Sequence, residues 1–173
     1  MLGALGGDQV QRIDVELFDL GAYARGVDRP VIRSYRDLIV WQKAMRLVAG
    51  VYEVARNLPR SRDHGLGGQM RRAAVSVASN IAEGHGRDHL RDYLRHLSIA
   101  KGSLSELETQ LLVAHAAASV SAREIEPVLD LCDEIGRMLT VLSRRLKEKL
   151  AAEPPKRVPP PKAVRPAKPV QSP

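Results

Sequence analysis

Residues 121–150 read SAREIEPVLDLCDEIGRMLTVLSRRLKEKL, and the spacing of their apolar members decides the fold. Ile125, Val128, Cys132, Ile135, Leu139, Leu142 and Leu146 recur every three or four positions. One helical turn holds 3.6 residues, so this period lays the apolar side chains along a single stripe. Ser121 followed by Glu124 is a capping-box signature at the start of the segment. Pro127 falls in its first two turns and removes one backbone donor, which predicts a slight bend or a later start.

The same period recurs three more times toward the N-terminus. Helix three takes Asp88 as its N-cap and carries Leu90, Leu94, Leu97, Ala100 or Lys101, Leu104, Leu107, Leu111 and Ala114. Helix two follows Gly67 and Gly68 with Leu66, Met70, Ala73, Val77 and Ile81, until Gly84 and Gly86 end it. Its many small residues (Ala73, Ala74, Ser76, Ala78, Ser79) let neighbouring backbones come close. Helix one begins near Asp37 and stops at Leu58 before Pro59, with Leu38, Trp41, Met45, Val48, Tyr52 and Ala55 as its inner stripe. Four such stripes are buried best against one another. The fold class is therefore all-α, an antiparallel up-down-up-down four-helix bundle over residues 34–150.

The flanks lack this pattern. Residues 1–33 show no sustained period, are broken by Gly3, Gly6, Gly7, Gly21, Gly26 and Pro30, and read as a flexible leader; Val10–Leu20 is compatible with a short strand or helix. Residues 151–173 hold eight of the eleven prolines, interleaved with Lys156, Arg157, Lys162, Arg165 and Lys168. Such a segment has too little apolar surface to order itself and reads as a disordered basic tail.

A length of 173 residues suits one domain with a real core. Cys132 is the lone cysteine, which excludes an intramolecular disulfide and points to the reducing cytoplasm. No apolar run is long enough to span a bilayer, so no membrane partner is expected. The first ten residues lack the basic start of a secretory signal. The net charge of +7 is unevenly placed, with an excess of four basic residues in 34–150 and another four in 151–173. Within the bundle, Arg56, Arg60, Arg62, Arg71, Arg72, Arg87, Arg91 and Arg95 face only Asp63, Glu83, Asp88 and Asp92 over residues 56–95. Arginine suits bidentate phosphate contacts, so an anionic partner follows naturally, although surface charge also serves solubility alone.

Catalytic and metal chemistry find little support. No Glu is followed three residues later by His, the di-iron signature of helical bundles. His89, Asp92 and His96 share one helix face but lack a fourth zinc ligand. Gly65-Leu66-Gly67-Gly68 follows no strand, Lys101-Gly102-Ser103 lies inside a helix, and Ser103 and Ser105 have no histidine nearby. Glu106 and Glu108 read as a solvated face or salt-bridge partners, and Cys132 as a buried small hydrophobe. The expectation is a non-enzyme with no cofactor, no metal and no small-molecule substrate. Asn80 and Glu83 need polar partners, for which Arg71, Arg72 and Arg87 are candidates; a network fixing helix register outweighs a ligand site there. Val40, Val51, Ala74, Leu112, Val113, Leu131, Met138 and Val141 lie off the inner stripes. That extra apolar width points to self-association, against the plainer reading of one broad core stripe.

Several stretches resemble a known family. They are Asp37-Leu38-Ile39-Val40-Trp41-Gln42-Lys43-Ala44, Gly65-Leu66 through Gln69-Met70-Arg71-Arg72-Ala73-Ala74, Ser79-Asn80-Ile81-Ala82-Glu83-Gly84 with Arg87, and Ile99 through Gln110. In order and spacing these look like the four-helix-bundle proteins encoded in intervening sequences of bacterial 23S rRNA genes. The accessory variability determinant of diversity-generating retroelements is in the same superfamily. The resemblance covers about residues 34–150 and implies a homopentameric, barrel-like ring with a basic surface. For the retroelement branch it also implies binding to a reverse transcriptase and to nucleic acid. Ala78 departs from the family's frequent Pro, and Gly68 from its more usual Ser or Thr.

Together these observations lead to a homo-oligomeric basic bundle that binds structured RNA or an RNA–DNA intermediate. Arg60, Arg62, Arg71 and Arg72 are the expected phosphate contacts, with Lys43 and Arg46 contributing less. Asn80, Glu83, Gly84 and Arg87 form the expected structural polar motif. Few exposed aromatics argue against base stacking. The alternative is a protein–protein adaptor whose arginines serve intersubunit salt bridges. A regulatory or toxin-like enzyme ranks third, because no catalytic constellation supports it.

Overall fold

The computed structural model describes residues 32–59, 63–117 and 119–152. They form four helices: α1 (Ile39–Asn57), α2 (Gly68–His85), α3 (Leu90–Ala116) and α4 (Ala122–Ala152). A 3-10 turn, Tyr35–Asp37, precedes α1, and a turn of π-helix, Asp63–Gly67, leads into α2. Among the described residues there is no strand.

The 3-10 turn ahead of α1 is capped through backbone donors that a helix start leaves without partners, while Leu38, the N-cap of α1 itself, makes no side-chain cap bond. The Asp37 carboxylate accepts the Arg33 and Ser34 N–H groups at 2.8 and 2.9 Å, and Ser34 Oγ accepts that of Arg36 at 3.2 Å. At the other end, Leu58 is extended ahead of Pro59, the conformation that proline imposes on its predecessor. The start of α4 uses the expected Ser121–Glu124 pair: Glu124 Oε2 accepts the Ser121 N–H at 2.8 Å and its hydroxyl at 2.7 Å. Asn57 Nδ2 donates to the other oxygen of Glu124 at 3.0 Å, tying the end of α1 to the start of α4.

Each helix packs against the next in sequence, and α4 closes back on α1. Paired contacts show the directions. Lys43 meets Glu134, Gly50 faces Val128 and Asn57 meets Glu124, so α1 ascends as α4 descends. Ser76 meets Ser103 and Asn80 meets His96 across α2 and α3. Lys101 meets Thr140, and Gly136 faces Leu104, across α3 and α4. Sequence neighbours are thus antiparallel spatial neighbours, the up-down-up-down order.

The core follows the expected stripes in three helices. In α4, Ile125, Val128, Cys132, Ile135, Leu139, Leu142 and Leu146 are all buried. In α2, Met70, Ala73, Val77 and Ile81 are buried, with Leu66 packed against them. In α3, Ala100 rather than Lys101 faces inward, Leu94 is only partly buried against the core, and Tyr93 and Gln110 join the buried set. Each fully buried Leu, Ile or Val contributes about 1.5–3 kcal/mol.

Helix α1 is turned differently from the sequence expectation. Its core face is Val40, Ala44, Leu47, Val51, Val54 and Ala55, whereas Met45 and Tyr52 are exposed and Trp41 and Val48 are only partly covered. Val40, Val51 and Ala74, expected off the inner stripes, belong to the core. Both α1 stripes have helical spacing and lie one residue apart. The compact aliphatic set turns inward, while Trp and Tyr, apolar bodies with a polar tip, suit the rim.

Other local expectations change as well. Gly84 does not end α2; it lies buried within the last turn, and the helix stops at Gly86, whose φ is −78°. The N-cap of α3 is His89, not Asp88. Helix α4 starts at Ala122 and runs through Pro127, with no later start. Ile32, assigned to the leader, is buried in the core, and Ala151 and Ala152, assigned to the tail, continue α4. The expected strand or helix at 10–20 and the expected disorder of the flanks concern residues outside the described ones, apart from these few. No helix of the described residues is long and apolar enough to cross a membrane.

Candidate nucleic-acid interface

The expected phosphate contacts occupy different environments. Arg60 and Arg62 lie outside the described residues. Lys43 donates to Glu134 Oε2 at 2.8 Å, so its charge serves an α1–α4 bridge. Arg71 is half-buried, with its guanidinium 5.9 Å from the centre of the Tyr52 ring. Arg46 and Arg72 are exposed, as are Arg91 and Arg95 on α3. None of these four makes an ion pair with another described residue. By contrast, Arg56 is paired with Glu53, Arg137 with Asp133, and Arg144 and Arg145 with Glu148. Exposed cations without an ion pair among the described residues thus lie on α1, α2 and α3, and on α4 at Arg123 and Lys147. Helical spacing sets Arg91 and Arg95 one turn apart on the same face.

The polar motif is a continuous hydrogen-bonded seam between α2 and α3. Asn80 Nδ2 donates to the Ser76 carbonyl at 2.9 Å and to Ser76 Oγ at 3.2 Å, and Ser76 Oγ is 2.8 Å from Ser103 Oγ. Asn80 Oδ1 is 3.2 Å from His96 Nδ1, and Arg87 Nε donates to His96 Nε2, also at 3.2 Å. Arginine is always a donor, so Nε2 must present its lone pair. In that arrangement Nδ1 carries the proton directed at Asn80 Oδ1. Glu83 borders the seam, with one oxygen 3.6 Å from His96 Nδ1 and 4.0 Å from Arg87.

Arg87 bonds His96 and lies 4.0 Å from Glu83, while Arg71 and Arg72 lie elsewhere on α2. His96, considered from sequence only as a metal ligand, has both ring nitrogens engaged. No group of three metal-ligating side chains occurs among the described residues. Gly84 supplies the close approach that this seam needs. A Cβ there would lie 2.7 Å from Tyr93 Cδ2 and 3.0 Å from His96 Cβ.

A shallow groove of about 360 Å³ opens between α3 and α4, lined by Lys101, Glu108, Asp133, Gly136 and Thr140 among others. Burial, then the charge of Asp133, pushes the Glu108 carboxyl above its ordinary range. At the base of the groove, burial and then Glu108 and Asp133 push the Cys132 thiol up to about 12. A thiol so far from ionising is a packing element, not a nucleophile.

Comparison with known proteins agrees with this architecture. The family model for 23S rRNA-intervening sequence proteins matches residues 36–141. This chain belongs to that family. No curated protein matches it. A crystal structure of a protein of unknown function from the S23 ribosomal protein family of Bacteroides thetaiotaomicron superposes with a TM-score of 0.58. The two are 19% identical, over 61% of this chain and 96% of the other. That likeness concerns the helical fold.

Proposed function

We propose, from membership of the 23S rRNA-intervening sequence family, that this chain is a non-enzymatic homo-oligomer that binds structured RNA or an RNA–DNA intermediate. The observation that carries the reading is the set of exposed, uncompensated arginines at 46, 72, 91 and 95 in a chain of net charge +7. Guanidinium groups without an ion-pair partner bind phosphate without first breaking an ion pair. Each phosphate neutralised releases a counterion, so affinity falls steeply with salt. Association of several copies multiplies the effect by placing equivalent arginines on one particle.

Binding through the phosphate backbone sets position and carries little sequence information. A scaffold that holds an RNA template, including as an accessory factor to a reverse transcriptase, is the cellular role that best suits such a surface. The test is filter binding of structured RNA and of an RNA–DNA hybrid to the full chain at rising salt. Retention at low salt that declines steeply with concentration is expected; no retention at low salt discards the reading. The second reading, an adaptor without nucleic acid, is favoured by the exposed apolar residues of α1, Met45 and Tyr52. It predicts assembly without any RNA retention.

A further inference from the structure

Arg87, Arg91 and Arg95 follow one another where α2 gives way to α3, yet they are held differently. Arg91 and Arg95 are exposed on α3 and make no ion pair with a described residue. Arg87, in the turn before α3, is tied by its Nε to His96 Nε2 at 3.2 Å. Its Nη2 is 4.0 Å from Glu83, beyond hydrogen-bond reach. While tied, its planar fork has no free Nε–H and stands beside a carboxylate, and both count against a bidentate phosphate contact.

The tie depends on a lone pair that only one protonation state supplies. An imidazole with its proton on Nδ1 accepts at Nε2; an imidazolium carries N–H on both nitrogens and accepts at neither. Protonation of His96 therefore turns two donors of like charge toward each other across the present 3.2 Å contact. His96 has no room to retreat, since its side chain is 13% exposed and a Cβ at Gly84 would lie 3.0 Å from His96 Cβ. Arg87 has room: its side chain is 50% exposed and it belongs to neither helix.

The surroundings provide for the charged ring. From α2, Asn80 Oδ1 is 3.2 Å and Glu83 Oε2 3.6 Å from Nδ1, so that nitrogen keeps an acceptor and has a carboxylate at hand. On α3 itself, His89 and Asp92 precede His96 on its own face, and Arg95 adjoins it. On α4, the Lys101–Thr140 contact sets Arg144 and Arg145 near this level, but both pair with Glu148. Of the cations around His96, only Arg87 is bonded to the ring, and it is the one free to move.

We infer that His96 is a proton-operated latch on Arg87. With a lone pair on Nε2 it holds the guanidinium against the α2–α3 seam; on taking up a proton from solvent it releases Arg87, which joins Arg91 and Arg95 as a phosphate contact. The inference rests on the RNA binding proposed above and adds its regulation. Histidine is the side chain whose charge changes between about pH 5 and 8, so binding strengthens from mild alkali to mild acid.

The test uses the full chain at about pH 8 and about pH 6, a window in which the capping carboxylates stay ionised. In nitrogen-15 spectra, the Arg87 Nε–H resonance, assigned by its loss in Arg87→Lys, should move to a solvent-exchanging position as the His96 ring titrates. In His96→Gln, whose amide oxygen accepts from Arg87 at every pH, it should stay put. Filter binding of a structured RNA hairpin at several salt concentrations should show tighter binding at the lower pH. The slope of log affinity against log salt should steepen there by about one for the added phosphate contact. Arg87→Gln and His96→Gln should each lose that increment, while the change due to the other histidines persists in both. Circular dichroism at both pH values checks that each variant folds, and either variant alone suffices if the other does not.

An Arg87 resonance indifferent to the His96 titration, or an increment that survives in both variants, overturns the latch and leaves the proposed function standing. RNA retained at neither pH overturns the proposed function and, with it, the phosphate role of Arg87. The resonance titration, which involves no RNA, decides the release of Arg87 in either case.

Discussion

Gly84 of α2 and Tyr93 of α3 are so close that one added carbon would sit 2.7 Å from Tyr93 Cδ2. Tyr93 is fully buried and cannot swing aside into solvent. Two effects of Gly84→Ala therefore oppose each other. Alanine gains about 1 kcal/mol of helix propensity, while overpacking against a fixed ring costs about 1–3 kcal/mol. The clash wins, and Gly84→Ala should lower the midpoint of denaturant unfolding. Gly102→Ala is the control: nothing lies within 4 Å of its Cβ, so propensity alone acts and the midpoint should rise. Two glycines responding with opposite signs would show that the α2–α3 approach, not flexibility, requires Gly84.

The His96 seam makes a second prediction. Asn80→Ala strands the His96 N–H in a half-buried position and should cost about 1–3 kcal/mol. Glu83→Ala removes only long contacts, at 3.6 and 4.0 Å, from a carboxylate that is itself 56% exposed, worth at most about 1 kcal/mol. A double-mutant cycle on Asn80 and His96, read by denaturant unfolding, should show coupling of about 0.5–3 kcal/mol. Additive effects would mean that the seam is not a network.

How much of this was legible in the sequence depended on whether a segment carried one apolar stripe or two. In α4 the positions between Ile125 and Leu146 that face outward are mostly polar, so the stripe could be read directly. In α1, Val40-Ala44-Leu47-Val51 and Trp41-Met45-Val48-Tyr52 satisfy the same period one residue apart. Spacing cannot say which turns inward; that depends on how α1 sits between α2 and α4. Gly84 was ambiguous for a similar reason, since a glycine near a helix end serves as a stop or as a point of close contact. The partnership of Asn80 with His96 did leave a signal. A hairpin about the turn at 86–89 sets residues equally far from it side by side, and that symmetry would have paired them. The exposed arginines were visible as composition, but that they form no ion pair with a described residue needed coordinates.

Acid titration should have contributions of both signs. The Arg33 and Ser34 N–H groups hold the Asp37 carboxyl below its ordinary range, and Ser121, then Asn57, do the same for Glu124. Their stabilisation is present above the unfolded-state carboxyl range and is lost as pH falls through the lowered folded values. Glu108 acts oppositely: its raised folded value means that deprotonation on going to neutral pH works against the fold. Glu108→Gln should therefore stabilise the protein at neutral pH and steepen the net loss toward acid. Thermal melts across the acid range check both; a Glu108→Gln chain less stable at neutral pH would contradict the assignment.

The last prediction separates Lys43 from Arg72, which the sequence grouped as phosphate contacts. Lys43 is bound to Glu134 at 2.8 Å, with 21% of its side chain exposed, whereas Arg72 is open and makes no ion pair with a described residue. Removing an open phosphate contact lowers the slope of log affinity against log salt by about one per site. Removing a partly covered ion pair instead costs stability, by about 1 kcal/mol or less. Arg72→Ala should thus flatten the salt dependence of RNA retention, through its own phosphate contact or through weaker assembly, and leave the unfolding midpoint unchanged. Lys43→Ala should lower the midpoint and leave the salt slope as it was. Mass measurement under the binding conditions distinguishes the two routes for Arg72. If Lys43→Ala alone flattens the slope at unchanged stability, its bridge to Glu134 opens readily in solution, and Lys43 belongs with the phosphate contacts after all.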